Sequence, residues 1–206
     1  MKNPRTTDTG PVTANWALAP PAADESDRAV GSLEHFGCSM ATPGNGGDFH
    51  DFLELGPGRR GIVLGDVSSE GIQAAWFAAE YVDATRSLRY ANCGHYPPFL
   101  LHADGAVDRL HATASFAGLS PWTRETPEVR LGPGDVLVIF SDGVVESVNR
   151  EGDRFGEHRL LTLSRALRHR PMQAMAEGLV ACVRVFTEGI RHHHLTVVTA
   201  RVSPAG

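Results

Sequence analysis

Three aspartates in this chain stand beside glycine where an apolar run meets a turn. Gly46-Gly47-Asp48 opens one such run, Gly65-Asp66-Val67 closes a second, and Ser141-Asp142-Gly143 closes the most apolar segment of all. Glycine lets the backbone turn tightly and approach an ion or a phosphate. A carboxylate at the end of a buried strand loses hydration, and it is tolerated there when it is paired or bound to a cation. Oxygen ligands suit hard divalent cations. Taken singly, each aspartate reads first as a turn or helix cap. Taken together, the three point to a shared metal site.

The elements that must carry these residues follow from the apolar pattern. Asp48 to Leu55, Gly61 to Val67, Leu88 to Ala91, Phe99 to His102 and Ala106 to Leu110 read as strands, with Gly56-Pro57-Gly58 and Asp104-Gly105 as hairpin turns. Val136 to Phe140 is apolar on both faces, as a central, doubly covered strand must be. After Ser68-Ser69 the spacing of Ile72, Ala75, Trp76 and Ala79 predicts a helix, with serine as its cap. Leu160, Leu163 and Leu167 mark another. Met172, Met175, Leu179, Cys182 and Phe186 mark a third, with Pro171 in its first turn and Gly189 past its end; its Met and Phe positions read as core. Leu195 to Val202 closes the chain as a strand. The expected class is α+β, a layered domain over residues 31–203. Residues 1–30, with Pro11, Pro20 and Pro21 and no periodicity, read as a flexible N-terminal tail.

Composition narrows the function classes. The chain has 206 residues, 19 basic against 24 acidic, and a hydrophobic fraction of 42%. That is too apolar and too weakly charged for a disordered chain, and a net charge of -5 is a poor match to nucleic acid. No apolar run approaches the ~20 residues of a membrane span, and no apolar segment follows the basic start as in a signal peptide. A cytoplasmic globular domain is the expectation. Cys38, Cys93 and Cys182 are an odd set without Cys-x-x-Cys spacing, and so read as small, buried or half-buried side chains.

Five motifs occur in one order. They are Gly46-Gly47-Asp48-Phe49-His50-Asp51, Gly65-Asp66-Val67-Ser68-Ser69-Glu70-Gly71, Tyr90-Ala91-Asn92-Cys93-Gly94-His95-Tyr96-Pro97-Pro98, Phe140-Ser141-Asp142-Gly143-Val144-Val145-Glu146, and Asn149-Arg150-Glu151-Gly152 with Phe155-Gly156. The series resembles the bacterial metal-dependent PPM-type serine/threonine phosphatases, in the branch typified by stage II sporulation protein E. The resemblance runs from about Phe36 to Val202. It implies an α/β/β/α sandwich of two antiparallel sheets with a binuclear Mn²⁺ or Mg²⁺ site at one end. Carried over residue by residue, Asp66 would bridge the two metals, the Val67 carbonyl would add a ligand, and Asp48 and Asp142 would complete parts of the two spheres. Asp66 and Asp142 would thereby be the catalytic carboxylates. The implied reaction is hydrolysis of phosphoserine or phosphothreonine on a signalling partner such as an anti-anti-sigma factor, without a covalent phosphoenzyme.

The chain departs from that pattern in three places. Where the family carries a ligand aspartate near its end, Arg191-His192-His193-His194-Leu195-Thr196 places His193 on the ligand position. An imidazole suits Mn²⁺ better than Mg²⁺ and removes one negative charge, which weakens the second metal site; the other reading is three exposed histidines at a strand entrance. Ser68-Ser69-Glu70-Gly71 replaces Ser-Gly-His-Gly, with Glu70 either near the site or favouring a helix N-terminus. Only eighteen residues separate Gly71 from Tyr90, where the family places a helix pair. One helical layer is therefore expected to be reduced, leaving apolar sheet for another chain to cover, as in a homodimer. These departures also support a rival reading: a catalytically impaired module that binds its partner.

Overall fold

Alternating apolar side chains along most strands place one buried layer between two sheets, and the doubly apolar strands add a second layer under helices. The computed structural model describes residues 33–40, 47–67, 74–113, 126–190 and 194–203. The first sheet has the order β1-β10-β9-β6-β7, built from Leu33–Met40, Leu195–Val202, Val136–Phe140, Phe99–Leu101 and Val107–Arg109. The second has the order β2-β3-β4-β5-β8, built from Phe49–Gly56, Arg59–Val67, Ala74–Val82, Ser87–Cys93 and Glu128–Arg130. Every ladder in both sheets is antiparallel. The sheets pack face to face through Ile62, Leu64, Phe77 and Tyr81 on one side and Leu100, Leu137, Ile139 and Val198 on the other.

Helices α1 (Asp142–Glu146), α2 (Gly156–Leu167) and α3 (Met172–Phe186) follow β9. Met172, Met175, Leu179 and Val183 of α3 cover Val136, Val138 and Phe140, the opposite face of β9 from Leu137 and Ile139. The five residues of β9 are all buried, because one strand serves both layers. The expected strands at 61–67, 136–140 and 195–202 are present, as are both C-terminal helices. Cys93 is buried and Cys38 and Cys182 half-buried.

One expectation fails. The helix predicted over Ile72 to Ala79 is replaced by β4, paired with β3 through Asp66↔Ala75, Leu64↔Phe77 and Ile62↔Ala79. Ala75, Trp76 and Ala79 do have helical spacing, yet Phe77, Ala79 and Tyr81 also alternate, and these three are the ones that are buried. A strand here satisfies the facing backbone edges of β3 and β5, which a helix would leave unpaired. Ile72 and Ser68 to Gly71 lie outside the described residues, as does the N-terminal segment read as a tail. The described helices pack on the first sheet alone. Leu53 and Leu55 on the outer side of the second are each 41% exposed, so the described layers run α/β/β.

Candidate metal centre

Strand register brings the aspartates together. Phe49 pairs with Gly65, so Asp48, one step before β2, stands beside Asp66 near the end of β3. Gly65 is required there: a Cβ would lie 2.4 Å from the Phe49 ring. Val67 ends β3 opposite Ala74, its carbonyl on the same strand end. Asp142 arrives from the first sheet, where Phe140 pairs with Val197 and α1 begins immediately after Ser141. Ser141 ties this turn to β10: its hydroxyl accepts from the Thr196 N–H (3.0 Å) and donates to the His194 carbonyl (3.3 Å). The Ser39 hydroxyl meets His50 Nδ1 at 2.8 Å and Thr196 Oγ1 at 3.1 Å, joining the two sheets at this end.

The electrostatics record the proximity. Burial first, then the charges of Asp142 and Asp48 and a hydrogen bond to Asp48, push the Asp66 carboxyl up to about 6. Among the described residues no donor reaches Asp48 Oδ2, which is buried. A shared proton or a cation is what such a group of oxygens lacks. The residues thus fit a divalent cation: crowded carboxylates, an orphaned oxygen and the Val67 carbonyl form an all-oxygen donor set. Among the described residues, no three His, Cys, Asp or Glu side chains already surround a single point. His193 lies outside the described residues.

The Asn-Cys-Gly-His loop closes the same end. Asn92 is fully buried; its amide donates to the Leu110 carbonyl (3.0 Å), and its Oδ1 accepts the His95 N–H (3.0 Å). Asn92 thus holds the loop in place through its side-chain hydrogen bonds. The motif alone did not show that the charges of Asp48 and Asp142 reach the His95 ring. The signal available was a histidine two residues past the end of β5, on a turn made by Gly94 at φ 78°. Next to it, the Tyr96 hydroxyl donates to Glu146 of α1 at 3.0 Å.

A stability consequence follows. An acid whose pKa rises on folding binds its proton more tightly in the folded chain, so stability falls as pH rises from 3.8 through about 6. In chelator, Asp66→Asn should therefore unfold at higher temperature than wild type at pH 7, by about 1 kcal/mol after discounting for its half-exposed position. The gap should narrow at pH 4.5, about midway through that window. Equal midpoints at both pH values would contradict the crowding.

Comparison with known proteins gives a consistent picture. The family model for stage II sporulation protein E (SpoIIE) matches residues 77–203, more than half of the chain. Protein IcfG of Synechocystis sp. is 33% identical over 76 residues, covering 36% of this chain and 12% of that protein. The phosphatase domain of SpoIIE from Bacillus subtilis, solved with a fragment of its regulatory domain, superposes with a TM-score of 0.71 at 16% identity, covering 84% of this chain and 64% of that one. The RsbU and RsbW domains of Rv1364c from Mycobacterium tuberculosis give 0.70 at 18% identity, covering 86% and 62%. At these identities the superpositions speak to fold, and the chain spans less than two thirds of either structure.

Proposed function

This chain belongs to the stage II sporulation protein E family of PPM-type phosphatases, and from that membership we propose that it is a divalent-cation-dependent phosphoprotein phosphatase. The observation that carries the reading is the convergence of Asp48, Asp66 and Asp142, from three strand ends on two sheets, into one group that raises the Asp66 pKa. Asp66 and the Val67 carbonyl would hold one ion and share it with a second at Asp48 and Asp142, with His193 as a further candidate ligand. Bound Mn²⁺ or Mg²⁺ would supply a water activated at neutral pH and neutralise charge on the phosphoryl oxygens. The chain's own part is to hold the carboxylates together and oriented. The Ser141 contacts fix the Asp142 turn, and the Phe49–Gly65 register fixes Asp48 against Asp66.

The substrate class is phosphoserine or phosphothreonine on a signalling protein, such as an anti-anti-sigma factor. Partner switching of that kind is suggested by the paired RsbU and RsbW domains of the mycobacterial relative. The rival, an impaired partner-binding module, draws support from β4, which takes the place of the helix expected beside the site. Hydrolysis of p-nitrophenyl phosphate with and without Mn²⁺ separates the two. Turnover that needs the metal and is abolished by chelator is the expected result. Tight Mn²⁺ binding with no turnover on this ester or on a phosphoserine peptide would favour the rival.

A further inference from the structure

At the aspartate end of the sandwich, one buried group has a lone pair and nothing to give it to. His95 is 6% exposed, and its Nε2 has no hydrogen-bond partner among the described residues. Its Nδ1 lies 2.9 Å from the Tyr96 carbonyl. A carbonyl only accepts, so Nδ1 carries the proton and the neutral ring presents Nε2 as an acceptor. Burial favours that neutral form by lowering the ring's pKa.

The backbone places the His95 loop beside the aspartates. Gly94 bridges to Trp76, and Trp76 pairs with Gly65, so the loop lies beside the turn that carries Asp66. The ring is close enough to Asp48 and Asp142 for both charges to act on it. A buried acceptor left without a donor costs about 1–3 kcal/mol, and nearby carboxylates, which only accept, do not relieve it. An electron-pair acceptor belongs between them. Asp48 Oδ2, also buried and without a donor, repeats the demand. Divalent cations held by carboxylates keep water in their remaining positions, and such a water can donate to an acceptor at the edge of the site.

We propose that His95 Nε2 accepts a hydrogen bond from a water in the hydration shell of the divalent cation held by Asp48 and Asp142, which makes His95 a positioning residue of the cation site. The inference rests on the phosphatase reading to the extent that a cation occupies this end. Outer-shell partners of this kind are worth about 10–100-fold in metal affinity.

The test is calorimetric titration of Mn²⁺ into the full chain, with thermal unfolding in chelator as the control. In His95→Asn the shorter amide can still donate to the Tyr96 carbonyl but does not reach the Nε2 position. In His95→Gln the longer amide places an acceptor near it. The expected result is an affinity about 10–100-fold weaker in His95→Asn, with its unfolding midpoint in chelator not lowered, and recovery of most of that affinity in His95→Gln. Wild-type affinity in His95→Asn overturns the proposal. So does an equal loss in both variants with a lowered midpoint in chelator, which would mark a structural role. A wild-type chain that binds no Mn²⁺ overturns both this proposal and the phosphatase reading, whereas wild-type binding and turnover with an indifferent His95→Asn overturns this one alone.

Discussion

Asp66→Asn and Asp142→Asn should each lose about 100-fold or more of the Mn²⁺-dependent hydrolysis of p-nitrophenyl phosphate. Asparagine keeps the shape of the side chain and removes its charge, so the change isolates electrostatics from packing. In the metal-free chain Asp66 is held against Asp142 and Asp48, and removing its charge relieves repulsion. Asp66→Asn should therefore combine a gain in stability in chelator with a collapse of activity in metal. A carboxylate that merely capped a turn would show neither effect at this size. Turnover in either variant within threefold of wild type, with metal saturating, would remove these aspartates from the chemistry.

Phe140→Ala should cost about 3–5 kcal/mol in urea unfolding, the largest single loss expected from one side chain in the first sheet. Phe140 has no exposed surface, and its ring lies 4.9 Å from that of Phe99 and 6.2 Å from that of Tyr96, centroid to centroid. It sits in the layer filled by Val138 and Val144 and by Met175 and Leu179 of α3. Truncation leaves a void that these neighbours cannot all close. Its effect also reaches the site, because Phe140 is two residues before Asp142 and its strand sets that turn. Phe140→Leu, which keeps most of the volume, should cost less than about 1.5 kcal/mol. A loss under 1 kcal/mol in Phe140→Ala would mean that the helical layer is not anchored here.

Residue types and local periodicity were enough for much of this protein. Val136 to Phe140 reads as a doubly covered strand because five consecutive apolar residues leave no polar face, and Met172, Met175 and Leu179 read as one helix face. Glycine beside each of Asp48, Asp66 and Asp142 marked the three strand ends and the chemistry they share. Periodicity failed at Ala74–Val82, where the same apolar positions satisfy helix and strand. The choice there falls to β3 and β5, whose backbone edges need a partner between them, and that need is non-local. The site shows the same division. The sequence by itself determined which carboxylates are available; only the tertiary structure decided that the Phe49–Gly65 register sets Asp48 against Asp66, and that the Gly94 turn brings His95 within reach of the charges of Asp48 and Asp142. Desolvation and charge repulsion depend on distance and burial, and these exist only once the two sheets have packed.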